Sequence, residues 1–163
     1  MTEQTIKLEQ RINIKFKDQE LLKKSLIHKS HDNINNNEKL EFLGDRVLGL
    51  VLAKTLLKIY PEEKEGVIDK KFANLVNKKT CLLVAKKIEL KKYIITGNSY
   101  KGLSRSDDKI ISDGLEALLG AIYLDQGIIV VEKFILNLWD DFLDKSSITK
   151  IDAKTQIKIL RMF

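Results

Sequence analysis

The stretch Asn37-Glu38-Lys39-Leu40-Glu41-Phe42-Leu43-Gly44-Asp45-Arg46-Val47-Leu48, running on through apolar residues to Tyr60-Pro61, decides how this chain is read. Leu40, Phe42, Leu43, Val47, Leu48, Leu50, Val51, Leu52, Leu56 and Leu57 leave few polar faces, so a helix over 38–60 is expected to be central and buried. Pro61 stops it, because proline removes a helix hydrogen bond and clashes with the preceding turn. Glu38, Glu41 and Asp45 nevertheless stand at i, i+3 and i+7, which puts three carboxylates on one narrow face. The residues three and four places from Glu41 are Asn37, Glu38, Gly44 and Asp45, none of them a cation. Like charges at that spacing repel, and burial makes the repulsion worse.

The same oddity recurs downstream. Asp113 and Glu116 lie at i, i+3 among Ile110, Ile111, Leu115, Leu118, Leu119 and Ile122. Two greasy helices, each with a one-faced acidic pair, can pack with their acids converging. Four carboxylates in such a place need a cation, and an all-oxygen site selects a hard ion such as Mg²⁺ or Mn²⁺. The alternative is that these acids merely form the solvent-facing sides of two amphipathic helices. A hard metal next to a basic surface points to phosphate chemistry. Other routes are poorly supplied: His28 and His31 read as structural or surface residues, and Cys81, among Leu82, Leu83 and Val84, as a core residue. There is no Gly-rich phosphate loop, and no Glu-x-x-His pair of the di-iron helical-bundle kind.

Around these helices the chain reads as all-α. Asp18 is an N-cap for a helix carrying Leu21, Leu22, Leu26 and Ile27; ahead of it, Ile6, Leu8, Ile12 and Ile14 give only a weak apolar pattern. Residues 32–37 read as a loop, 62–66 as a charged turn and 97–106 as a mobile loop. Further helices are expected over 67–77, 79–88, 107–124 and 128–143. One proline and eight glycines in 163 residues argue against an all-β domain, which needs many turns. That length fits one domain, here residues 1–146, with 147–163 as a linker or the start of another. A single cysteine excludes a disulfide framework and fits a reducing, cytoplasmic setting. No apolar run is long enough to span a membrane, and the first residues lack the layout of a signal peptide.

Charge adds a partner class. Of 29 basic residues 25 are lysine, which binds phosphate as a point charge rather than reading base edges. Residues 69–109 hold eleven cations against four acids, a segment of +7 that leaves −1 for the rest of a +6 chain. A basic middle of this kind is the footprint expected of a nucleic-acid binder; the alternative is a lysine-rich chain with solvated helix faces.

Residues 37–48 closely resemble the signature helix of the ribonuclease III catalytic domain. The likeness continues in order: residues 21–30, ending in a His-x-Ser turn; Tyr60-Pro61 with Glu65-Gly66 and Leu75-Val76-Asn77; and residues 112–125 as the second acidic helix. It covers about residues 8–143. The resemblance implies an all-α endonuclease domain that cleaves double-stranded RNA with Mg²⁺, for which Mn²⁺ can substitute. By position it implies Glu41, Asp45, Asp113 and Glu116 as metal-binding carboxylates, with Asp45 and Glu116 catalytic. Glu38 and Glu65 match acidic positions supporting the cleft and dimer, and Phe42 matches an aromatic that packs into a partner subunit. A homodimer then sets two active sites across the duplex and leaves short 3′ overhangs with 5′-phosphate and 3′-hydroxyl ends. The implied setting is RNA processing, of rRNA precursors and mRNA.

Two departures stand out. Arg46 occupies a place where many relatives carry a small residue, and Gly114 interrupts a helix at about 1 kcal/mol relative to alanine. Many relatives also continue into a double-stranded-RNA-binding domain; Asp152-Ala153-Lys154-Thr155 resembles the approach to it, and the sequence stops at Phe163. Losing those phosphate contacts weakens binding, so less salt abolishes it. Competing readings are a non-catalytic double-stranded-RNA-binding relative, which usually lacks some of the acids, and an all-α nucleoside triphosphate pyrophosphohydrolase. The latter shares Glu38-x-x-Glu41 but not Leu43-Gly44-Asp45.

Overall fold

The computed structural model describes residues 2–100 and 107–147. Seven α-helices follow in chain order: α1 Glu3–Ile12, α2 Gln19–Leu26, α3 Glu38–Ile59, α4 Glu65–Val76, α5 Lys78–Lys87, α6 Asp108–Gln126 and α7 Ile128–Lys145, with a 3₁₀ turn at Leu90–Lys92 after α5. Among the described residues the only β pairing is an isolated parallel bridge between Ile27 and Ile95, as an all-α reading requires.

Local signals account for most boundaries. The Asp18 carboxylate accepts from the Glu20 and Leu21 amides at 3.0 and 3.2 Å, starting α2. Asn77 does the same for α5 through the Thr80 amide at 2.9 Å. The weak N-terminal pattern proves to be a full helix, opened by a reciprocal cap between Thr2 and Thr5. α4 starts at Glu65, inside the stretch read as a charged turn, and α7 runs two residues past the expected end to Lys145. Its end is held by Ser146, whose carbonyl accepts from buried Lys71 at 2.6 Å and whose hydroxyl meets Tyr60 at 2.8 Å. Residues 101–106 of the expected loop and the tail from 148 lie outside the described residues.

The core has α6 at its centre. Every residue from Ile110 to Ile122 is buried, and α3, α5, α2 and α7 all pack on this helix. Sequence patterning had placed α3 there instead. α3 does bury Leu40, Val47, Leu48, Val51, Leu52 and Leu56, but Phe42 and Leu50 are each 62% exposed and Leu57 61%. A helix that is apolar all round need not be enclosed by its own chain; here one stripe, containing Phe42, Leu50 and Leu57, faces outward.

The crossing of α3 and α6 is a backbone contact. A Cβ at Gly44 would stand 1.7 Å from the Glu116 carbonyl oxygen, and one at Gly120 would stand 2.2 Å from that of Leu40. Only glycine lets the two helices approach so closely. Gly44 lies between Glu41 and Asp45, and Gly120 is one helical turn beyond Glu116, so this crossing sets the α3 acids beside those of α6. Gly114, on the same helix, meets a softer neighbour: a Cβ there would come 2.9 Å from the end of the Ile94 side chain, which can shift.

Candidate active site

Ligand oxygens of Glu41 from α3 and of Asp113 and Glu116 from α6 all lie within 4.8 Å of one another. Asp113 and Glu116 are 7% and 3% exposed, while Glu41 is half-buried. Burial above all, with the charge of Asp113, pushes the Glu41 carboxyl above its ordinary value. Glu116 is raised too, again mainly by burial, with Lys78 pulling the other way.

Two lysines complete the cluster. The Lys78 ammonium, at the first residue of α5, stands 2.5 Å from Asp113 Oδ1 and 3.2 Å from Glu116 Oε2. Lys109, one turn before Asp113 on α6, pairs with its other oxygen. The α6 acids are thus compensated, which inspection of the surroundings of Glu41 alone does not show. Lys109 stands at i−4 from Asp113, a spacing visible in the sequence. Lys78 lies 35 positions from Asp113 and is brought in only by the packing of α5 on α6, so nothing local marks it.

The acids separate two hollows. One, of about 440 Å³, is lined by Glu38, Glu41, Asp113 and Lys109 together with His28, Lys29 and Asn37. His28 is placed there by backbone hydrogen bonds to the Ile95 segment, and burial with the charge of Lys29 holds its imidazole below the ordinary value. The other, of about 290 Å³, contains Glu38, Glu41, Asp45, Glu116 and Lys78 with Phe42 and Arg46. Asp45 belongs to this second hollow and not to the tight trio; its side chain is 55% exposed and bonded to Arg46 at 3.2 Å. Arg46 also lies 3.7 Å above the Phe42 ring, so it braces both neighbours. Glu38 stands at the rim, paired with Lys29 at 3.0 Å. Glu65 is elsewhere, lining a separate hollow with Leu57, Ile68 and Phe72 on the outward side of α3 and α4.

The donor set is all oxygen, partly buried and drawn from two helices, which suits a hard divalent cation held by Glu41, Asp113 and Glu116. With lysines at its border, such a site can receive a phosphate. An all-α fold with this arrangement is suited to metal-assisted chemistry on a phosphate ester. The chain matches the Ribonuclease-III-like family over residues 18–141. Ribonuclease 3 of Pelagibacter ubique is 61% identical over 153 residues, which span 94% of this chain and 69% of that protein. Ribonuclease 3 of a Wolbachia strain from Culex pipiens is 41% identical, spanning 90% and 67% of the two chains. Among solved structures, the nuclease domain of ribonuclease III from Campylobacter jejuni, described for flexibility in a region involved in dimer formation, superposes with a TM-score of 0.78. Its identity is 37%, covering 83% of this chain and 95% of that one. The chain belongs to the ribonuclease III family and carries its nuclease fold.

Proposed function

We propose that the chain is a Mg²⁺-dependent endoribonuclease of double-stranded RNA that acts as a homodimer, and that its site is the cluster between α3 and α6. The observation that carries this is the convergence of Glu41, Asp113 and Glu116 within 4.8 Å. These three would hold the ion, with Mn²⁺ able to replace Mg²⁺, and Asp45, on the more exposed hollow, would be the fourth carboxylate of the set. A bound ion would supply an activated water and charge stabilisation for the departing 3′-oxygen. Asp45 and Glu116 serve as the catalytic carboxylates: Glu116 fixed by burial, Asp45 steered by Arg46 at the side open to substrate. Breakage of the phosphorus–3′-oxygen bond leaves 5′-phosphate and 3′-hydroxyl ends.

Duplex RNA is read mainly by shape through phosphates and 2′-hydroxyls, which a lysine-dominated surface suits. The exposed α3 stripe supports the dimer, with Phe42 packing into the partner and Glu38 and Glu65 supporting the cleft and interface. Two sites across the duplex then give short 3′ overhangs. The nuclease unit is residues 1–146, with 147–163 outside it, a division supported by the family match and by the end of α7 at Lys145. Processing of rRNA precursors and mRNA in the cytoplasm is the setting this chemistry serves. Incubating the protein with a long RNA duplex, with and without Mg²⁺, tests the proposal. Metal-dependent conversion to short duplexes with short 3′ overhangs is expected, and an intact duplex in saturating Mg²⁺ contradicts it.

A further inference from the structure

Among the described residues Lys78 is the one cation that bonds both carboxylates contributed by α6. Its ammonium lies 2.5 Å from Asp113 Oδ1 and 3.2 and 3.4 Å from the two Glu116 oxygens. Those oxygens belong to the same trio that would ligate a divalent ion. An ammonium and a divalent cation held by these same oxygens repel each other, so each weakens the other's hold on Asp113 and Glu116.

The lysine is also built to leave. It occupies the first position of α5, and its side chain is 52% exposed, against 11% and 4% for those of Asp113 and Glu116. The carboxylates are therefore fixed and the ammonium has a route to solvent along the hollow it shares with Arg46 and Asp45. Lys109 cannot replace it, because it bonds only Asp113, from the opposite hollow.

We infer that Lys78 is a positioning residue that acts as an internal counter-cation: it holds Asp113 and Glu116 together in the metal-free protein and is displaced when the divalent ion binds, thereby setting the ion's affinity. The inference rests on the proposed metal site. Its consequence has an unusual sign. Removing Lys78 lowers the stability of the metal-free protein, because two buried carboxylates lose their shared cation. The same change tightens the metal, because no ion pair has to be broken and no ammonium remains nearby to repel it.

The test is Mn²⁺ binding to the full chain, measured by the loss of the free-ion electron paramagnetic resonance signal, together with melting temperatures in EDTA and in Mn²⁺. Lys78→Met is expected to bind Mn²⁺ about five-fold more tightly than wild type, the scale of a partly exposed ion pair. It is also expected to melt lower in EDTA and to gain more from Mn²⁺, while Lys78→Arg restores wild-type affinity. Should the methionine variant fail to fold, Lys78→Gln keeps the side-chain polarity and carries the same expectation. Unchanged or weaker Mn²⁺ binding by the neutral variant overturns the inference. Glu116→Gln separates this from a failure of the site itself. If that variant loses Mn²⁺ while Lys78→Met binds as wild type does, only the role of Lys78 falls; if it binds Mn²⁺ normally, the metal-site reading falls.

Discussion

Glu116 and Cys81 show how burial sets the chemistry of single side chains here. Both are buried, and in both burial is the main force raising the pKa. Glu116 has Lys78 to offset it and stands in a cluster that can take a cation. At Cys81 Lys78 and Ser112 also pull downward, but burial and the Glu116 charge outweigh them and the thiol is pushed up to about 12. At pH 8 its thiolate fraction is then about one part in ten thousand, so the native thiol is inert. Treatment with a thiol-reactive dye at pH 8 is expected to label Cys81 only after unfolding; stoichiometric labelling of the native protein within minutes contradicts this. The sequence made this residue legible, since its apolar neighbours already marked it as core. It did not make Lys78 legible, because a contact across 35 positions leaves no local periodicity. Arg46 falls between: its place in the signature helix was plain, but its double role over Phe42 and beside Asp45 required the rotamer.

Among the elements, the α3–α6 crossing matters most, and its two glycines carry it. A methyl group at Gly44 would overlap the Glu116 backbone, which no side-chain rotation can relieve. Gly44→Ala is therefore expected to cost about 3 kcal/mol or more in urea unfolding, and Gly120→Ala a similar amount, by forcing the helices apart. Gly66, whose added Cβ would meet nothing within 4 Å, is the control for substitution alone. A loss below about 1 kcal/mol at Gly44 contradicts the close crossing. The helices themselves were largely readable from capping residues and 3.6-residue periodicity, as at Asp18 and Pro61. Which of the two greasy helices lies at the centre was not. Both α3 and α6 are apolar on most faces, and hydrophobicity counts what must be covered without saying what covers it.

At the scale of the whole molecule, unequal surfaces underlie the proposed assembly and the proposed partner. The outward stripe of α3 leaves Phe42, Leu50 and Leu57 each more than half exposed on one helix, the surface proposed to face a second copy. With the proposed dimer resting on this stripe, Leu50→Glu is expected to sediment as a monomer and wild type as a dimer, with the melting of the helical core little changed; equal sedimentation coefficients contradict that use of the stripe. Nine of the eleven cations of residues 69–109 lie among the described residues, on α4, α5, the 3₁₀ turn and the start of α6, and α5 packs on the helix that carries Asp113 and Glu116. No described helix is long and apolar enough to cross a membrane. Metal-dependent cleavage at the α3–α6 cluster is the claim on which the rest depends. Its most direct test pairs cleavage and binding of a long RNA duplex by wild type and Glu116→Ala at limiting Mg²⁺. Cleavage is predicted to fall by about 100-fold or more while duplex affinity stays within about three-fold, since phosphate contacts set affinity. Wild-type cleavage by Glu116→Ala at low Mg²⁺ would contradict the account.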